Sequence, residues 1–258
     1  MLLTVITPTL NAAAAAAATH ASLKGLEDWV DWVVQDGAST DGTQQVLQGL
    51  QNPAPQIDTA PDKGLYDAMN RGLARAGGAY VVFVGAGDRL APADALRALR
   101  ATLTNGPDLV FGAAQEDGVT ACFQKPARPV GSIWRGMPTH HPAMVFRRAL
   151  VAGLAYDVRF QVAADYAFAW AALDRAKTVV TLQTPICRCA PAGVSARLAP
   201  IGRREQAQIR RDHGIPWPVP TAIAAAQAAS WALRRTTPQL WQRLRAAAVP
   251  RRQRPKSR

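Results

Sequence analysis

Apolar and polar positions switch repeatedly between a period of two and a helical period along the first half of the chain. Residues 2–7 form a short apolar, β-branched run that predicts a buried strand. Asn11 opens an alanine run over residues 12–18. It predicts a helix or an alanine-filled loop, because alanine has the best helix propensity and asparagine is a good N-cap. Residues 29–35 (WVDWVVQ) predict the second strand, and residues 41–50 a helix with Val46, Leu47 and Leu50 on one face. The alternation continues with a strand at 56–60, a helix at 65–76, a strand at 79–84 and a helix at 92–103. Further strands are predicted at 107–113 and 119–123. Strands and helices joined by short links predict an α/β fold with a mainly parallel sheet covered on both faces.

The pattern then changes. Residues 126–142 are irregular, with glycine, proline and an isolated Trp134, before a brief strand at 143–146, a helix at 163–173 and a strand at 178–182. Irregular loops after a regular α/β half often carry the site of a second substrate. Helical segments follow at 201–213, 222–235 and 238–247, and the terminal PRRQRPKSR has the composition of a disordered end.

Charge divides the chain at the same place. The net charge of +12 is not spread evenly: residues 1–196 carry sixteen basic and sixteen acidic side chains, whereas residues 197–258 carry fourteen basic ones against Glu205 and Asp212. A balanced body over residues 1–196 and a basic helical tail over 197–258 are therefore expected as separate parts. The opening MLLTVITPTL has no basic region before it and is broken by Thr4, Thr7 and Pro8, so it reads as a strand and not as a signal peptide. The most apolar long stretch, residues 216–233, is rich in alanine with three prolines at its start and falls short of a spanning helix. Three cysteines, with Cys187 and Cys189 as an isolated C-x-C, make neither a disulfide framework nor a zinc site, and a reducing cytosol is the simplest compartment.

Three blocks concentrate the chemistry. They are VQDGASTDGT at 34–43, PDKGLYDAMNRG at 61–72 and VFVGAGD at 82–88. Each places an acidic residue and glycines where a predicted strand gives way to a turn. In an open α/β sheet those are the carboxyl ends of strands, where ligands bind. Asp36, Asp62 and Asp88 would line one cleft, and several carboxylates suit a divalent metal and a bound diphosphate. For each the bland alternative is a turn or cap carboxylate; for Asp41 that N-cap role is the expectation. Lys63 is placed to meet a phosphate, and Asp67 and Asn70 share a helix face. Gly85 and Gly87 let the backbone approach a ligand beside Asp88.

These blocks, in order and at consistent spacing, resemble the family 2 glycosyltransferases of GT-A fold over residues 3–173. ITPTLN (6–11) looks like the first strand and nucleotide loop. QDGASTDGT (35–43) resembles D-G-x-S-x-D-x-T, and PDKGLYDAMNRG resembles D-x-G-x-Y-D-A-M-N-x-G. VGAGD stands at the D-x-D-type metal motif, and HHPAMVFRR (140–148) and AADYAF (163–168) resemble acceptor-side segments. The resemblance implies a Rossmann-like GT-A sheet and an inverting transfer of a sugar from a UDP- or GDP-type nucleotide sugar to a glycan or lipid-linked acceptor, as in surface polysaccharide assembly. It implies that Pro8, Thr9, Asp36 and Asp62 hold the nucleotide, with Lys63, Asp67, Asn70 and Gly87 beside them. It further implies that Asp88 binds Mg2+ or Mn2+ and that Asp165 is the base that takes the acceptor proton. His140 or His141 would join the site. The chain departs from the pattern at Ala86, where the metal motif lacks its first aspartate.

Two other enzyme or binding classes share the fold features: a nucleotidyltransferase, and a non-catalytic nucleotide-sugar-binding protein. The first would more often carry a glycine-rich, basic phosphate loop after the first strand, where this chain has TPTLNAAA. In the tail, pairs of arginines at 203–204, 210–211, 234–235 and 251–252 interleave with Trp217, Trp231 and Trp241. That composition suits peripheral contact with an anionic bilayer, at the inner face of the cell membrane, or a plain solvated end. Nucleic acid would need a recognisable motif, which is missing.

Overall fold

The computed structural model of the chain describes residues 1–117, 122–190 and 197–237. It forms two compact units, Met1–Leu198 and Ala199–Arg258.

In the first unit the chain runs β1 (Leu3–Thr9), α1 (Ala13–Ala21), β2 (Val30–Asp36), α2 (Thr43–Gln48), β3 (Gln56–Thr59), α3 (Leu65–Arg75), β4 (Tyr80–Phe83), β5 (Arg89–Leu90), α4 (Ala93–Thr104), β6 (Leu109–Asp117) and β7 (Cys122–Lys125). Two short 3-10 turns, Val130–Arg135 and His141–Ala143, lead to β8 (Met144–Arg147), α5 (Ala164–Arg175) and β9 (Val179–Cys189). Among the described residues one nine-stranded sheet has the order β3-β2-β1-β4-β8-β6-β9-β5, with β7 paired to β6. β3, β2, β1 and β4 are parallel, β8 is antiparallel to both β4 and β6, and β6 and β9 are parallel. The fold is thus mixed α/β with a mostly parallel sheet.

The alternation of the first half has a plain physical cause. β1 is buried along its whole length, as a strand with helices on both faces must be. Leu3, Val5, Val30, Trp32 and Val34 join Leu23, Leu26, Leu47, Leu96, Leu99 and Leu103 of the flanking segments in one apolar core. α3 turns Tyr66, Ala68, Met69 and Gly72 inward, the i, i+2/3, i+6 spacing of an amphipathic helix. The third strand is an edge with mostly exposed residues.

Three expectations change. Asn11 does not cap α1: the cap position is Ala12, and no side chain caps that helix. Asn11 instead has φ 48° and points its amide elsewhere, an αL conformation that asparagine tolerates. The last strand is far longer than residues 178–182, reaching Cys189 past Pro185 through register irregularities opposite Gly112–Ala114. The two-residue β5, antiparallel to β9, carries too short a pattern to read from sequence. Part of the strand expected at 119–123 lies outside the described residues.

In the second unit, α6 (Ala199–Asp212) and α7 (Val219–Thr236) are helices. The helix expected at 238–247, together with Trp241 and Arg251–Arg252, lies outside the described residues. No described helix is long and apolar enough to cross a membrane.

Candidate active site

The carboxyl ends of the parallel strands meet in register. Thr9 at the end of β1 pairs with Asp36 at the end of β2, which pairs with Thr59 at the end of β3. Ile6 pairs with Phe83 on the other side, so the segment after β4 emerges beside the same edge. Pro8 and Thr9 are buried there, and Thr9 Oγ1 is a buried hydroxyl that finds no hydrogen-bond partner among the described residues.

Asp36 is fully buried and accepts from the backbone N–H of Ser39 at 3.0 Å and from the Ser39 hydroxyl. Ser39 Oγ also accepts the backbone N–H of Asn11 at 2.8 Å, and Asn11 Oδ1 accepts that of Thr40 at 2.9 Å. The loops after β1 and β2 are therefore stitched to each other by polar side chains. Asp41 accepts the backbone N–H of Thr43 at 3.0 Å while Gly42 is the formal cap residue, so its carboxylate serves the start of α2 from one residue further out. The Thr43 hydroxyl holds that carboxyl below the usual aspartate range.

Asp62 reaches the same place from the third block. Its Oδ1 accepts the N–H of Gly64 at 2.8 Å. A Cβ on Gly37 would stand 2.6 Å from Asp62 Oδ2 and 3.4 Å from Leu10 Cδ1. Only glycine lets the loop after Asp36 lie against the Asp62 carboxylate. Lys63 is exposed, and its backbone N–H donates to Asp67, which also pairs with Arg71 at 2.9 Å.

Tyr66 and Asn70 of α3 are engaged by the segment between β8 and α5. Asn70 donates to the Tyr156 carbonyl at 2.9 Å and accepts the Tyr156 N–H at 2.7 Å. Tyr66 donates to the Val162 carbonyl at 2.5 Å. The helix thus fastens the segment leading into α5, where Asp165 sits in the first turn, half-buried, accepting the N–H of Tyr166 at 2.7 Å. Burial, and then the charge of Asp165, raise the Tyr156 hydroxyl well above its ordinary value.

The turn after β4 is the most closely braced. Gly87 has φ +97°, a conformation in which only glycine is unstrained. Thr19, fully buried in α1, donates its hydroxyl to the Asp88 carbonyl at 2.8 Å and accepts the Gly87 N–H at 3.0 Å. Ser22 Oγ accepts the N–H of Leu90 at 3.0 Å. Asp88 Oδ1 accepts the N–H of Ala190, just past β9, at 2.8 Å. Burial raises the Asp88 carboxyl above the usual aspartate value, against the opposing pull of the Ala190 amide and of His140.

The two adjacent histidines separate cleanly. His141 is buried, stacks on Phe83 with ring centroids 5.4 Å apart, and meets Tyr156 Oη at 2.7 Å. Burial lowers its pKa to about 3, so it is a neutral core histidine. His140 is part-exposed, 2.5 Å from Glu116 Oε1 and 3.5 Å from Lys125 Nζ. Thr19, Ser22, Ser39, Glu116 and Ala190 were not singled out from the sequence. Of these only Ser39 had a local signal, its place in the D-G-x-S block.

No three histidine, cysteine, aspartate or glutamate side chains are grouped to hold a metal ion among the described residues. A cation here would draw on Asp88 and take the rest of its shell from phosphate oxygens and water. That donor set fits Mg2+ or Mn2+, which commonly bind through one or two carboxylates plus substrate phosphates.

A family model described as glycosyl transferase family 2 matches residues 4–156. The chain is 31% identical over 188 residues to a PGL/p-HBAD biosynthesis glycosyltransferase of Mycobacterium tuberculosis, covering 65% of this chain and 68% of the relative. Among solved structures, S. aureus TarS in complex with UDP-GlcNAc superposes with a TM-score of 0.66 at 18% identity, covering 92% of this chain and 74% of TarS. The mannosyltransferase PcManGT of Pyrobaculum calidifontis, in complex with GDP-Man and Mn2+, gives 0.65 at 20% identity, covering 95% and 79%. At these identities the structural likeness establishes the GT-A fold.

Proposed function

The chain belongs to glycosyl transferase family 2, and from that membership we propose an inverting transfer of a sugar from a UDP- or GDP-type donor to a hydroxyl of a glycan or lipid-linked acceptor. The observation that carries the reading is the meeting of the Asp36 and Asp62 loops across Gly37 at the edge where β1 and β4 also end. That edge is where an α/β sheet binds nucleotides. The donors named in the solved neighbours, UDP-GlcNAc and GDP-Man, support the donor class.

Pro8, Thr9, Asp36 and Asp62 hold the base and ribose, and the orphan Thr9 hydroxyl gains a partner when the nucleotide binds. Lys63 meets the donor phosphates from the rim, and Gly87 lets the backbone come close to them. Asp67 and Asn70 act at one remove: Asp67 shapes the Lys63 turn and Asn70 fixes Tyr156. Mg2+ or Mn2+ at Asp88 would neutralise charge on the departing diphosphate. Asp165 takes the proton from the acceptor hydroxyl as its oxygen bonds to the anomeric carbon and the bond to the diphosphate breaks. The single displacement inverts the anomeric centre. His140, beside Glu116, stands on the Asp88 side of the site; His141 is structural. The basic tail supports contact with the inner face of an anionic membrane, which suits a lipid-linked acceptor in surface polysaccharide assembly.

The test is a thermal-shift screen of UDP, GDP and their sugars with and without Mn2+, followed by transfer assays on the best donor. Metal-dependent stabilisation by one nucleoside diphosphate is expected. Stabilisation by triphosphates alone would favour a nucleotidyltransferase and sink the reading.

A further inference from the structure

The second unit contains a groove whose lining has one chemical character. Arg203, Arg204, Ala207 and Arg211 of α6, at spacings that bring them onto one helix face, meet Thr221 and Ala224 of α7 around a groove of about 390 Å3. Three arginines line it, and among the described residues no carboxylate does. Ala207 is small and buried, which leaves room at the floor. The guanidinium carbon of Arg203 lies over the Trp231 ring, 5.3 Å from its centroid, a cation–π contact that holds this side chain. Arg211 donates to Gln208 Oε1 at 2.6 Å, which orients its side chain. Thr221 and Ala224 belong to the first two turns of the 18-residue α7, so the groove lies alongside the N-terminal, partially positive end of that helix.

We propose that this groove binds phosphate groups of anionic membrane lipid. The inference rests on, and makes specific, the membrane contact in the proposed function. Guanidinium forks are matched to phosphate oxygens, and a helix N-terminus adds a partial positive charge. Trp217, 79% exposed in the connection leading into α7, supplies the second signal. A large amphipathic ring left in solvent two residues before that helix is suited to the headgroup level of a bilayer. A nucleic acid strand instead needs a row of open aromatic faces along an extended basic track. Here no aromatic ring lines the groove among the described residues, and the nearby contact of Arg203 is to the face of Trp231.

The test uses the full chain and sedimentation with vesicles of phosphatidylcholine alone or mixed with phosphatidylglycerol. Binding is expected only to the mixed vesicles. Arg203→Gln/Arg204→Gln/Arg211→Gln together should lower the partition coefficient on the order of 100-fold. Neutralising three arginines elsewhere in the tail (Arg251→Gln/Arg252→Gln/Arg254→Gln) should lower it much less. Trp217→Ala, at an exposed position where folding is not at stake, should also weaken binding. Equal losses from the two arginine sets would mean diffuse tail charge and overturn the proposal. So would binding independent of phosphatidylglycerol, tighter binding to an RNA oligonucleotide than to vesicles, or stabilisation by soluble glycerol phosphate without vesicle binding. Stabilisation by nucleoside diphosphate and Mn2+, measured on the same variants, reports the donor site separately. Helical circular dichroism equal to that of the unaltered chain shows that the second unit of the variants is still folded; if donor stabilisation is missing from the unaltered chain, the donor reading fails and the groove is judged on vesicles alone.

Discussion

The hydroxyl of Thr19 bonds the carbonyl of Asp88 across 69 residues of sequence, at 2.8 Å, and takes the Gly87 N–H as well. α1 therefore carries the backbone of the turn on which the Asp88 carboxylate is mounted. Thr19→Val keeps the volume but leaves buried backbone groups without partners. It should cost about 1–3 kcal/mol of stability by chemical denaturation, and it should weaken Mn2+-dependent nucleotide stabilisation as well. A variant with unchanged Mn2+ dependence would show that the turn holds its shape without α1.

Gly37→Ala tests the contact between the second and third blocks. The new methyl must displace the Asp62 carboxylate, a flexible side-chain end, so folding should be little affected. Affinity for the nucleoside diphosphate should drop about tenfold, the loss of one hydrogen bond to a charged group. Isothermal titration against the unaltered protein decides it. Equal affinities would remove Asp62 from the nucleotide site.

Asp88 predicts a pH dependence. Burial raises its carboxyl in the folded protein, so between the ordinary aspartate value and the raised one the folded chain holds a proton that the unfolded chain has released. The stability of the metal-free protein should fall as pH rises through that interval, and be fully present below it. Because protons and cations compete for the carboxylate, the Mn2+-dependent gain should grow over the same interval. Asp88→Asn should abolish both trends in melting temperature. Persistence of the Mn2+ effect in that variant would place the cation elsewhere.

His141 acts in the opposite sense. It is held neutral, with a pKa of about 3 in the folded protein against 6.5 ordinarily. The unfolded chain binds the extra proton between those values, so stability is intact above about pH 6.5 and is lost progressively as pH falls toward 3. His141→Phe, which can still stack on Phe83, should flatten part of that acid limb even though it gives up the bond to Tyr156. An unaltered pH–stability profile would count against the buried neutral imidazole.

Asp165→Asn separates binding from chemistry. The amide keeps the size of the side chain and can still accept the Tyr166 N–H, but it cannot take a proton. Donor stabilisation should survive while transfer falls by 10²-fold or more, the contribution of a positioned base. Normal transfer would reassign the base.

The parallel half of the fold was readable because a strand buried on both faces must be almost wholly apolar, as β1 is, and because Asp36 and Asp88 each follow such a run, whereas Asp62 follows the exposed edge strand β3 and was marked by its motif. What escaped was governed by partners distant in sequence. Thr19 and Ser22 lie in or just beyond an alanine-rich helix, and nothing local marks them as supports for residues near 88. Asn11 has a side chain equally able to cap a helix or bridge two loops, and the neighbouring loop decides. His140 and His141 are adjacent and alike, yet the 3-10 turn at His141–Ala143 sends one among Phe83, Phe146 and Tyr156 and leaves the other beside Glu116. The full reach of β9 was hidden by Pro185, which a bulged register accommodates.

That last strand has a practical consequence. Asp88 receives a backbone N–H from Ala190, so the surroundings of its carboxylate are completed by chain that comes after every recognisable sequence block. A shortened catalytic fragment that stops where the family match ends, near residue 156, would leave out β9 and its neighbour Ala190. Truncation work on this enzyme should therefore keep residue 190 and a few beyond it, since a fragment cut earlier would report the loss of a hydrogen bond and not the dispensability of the tail.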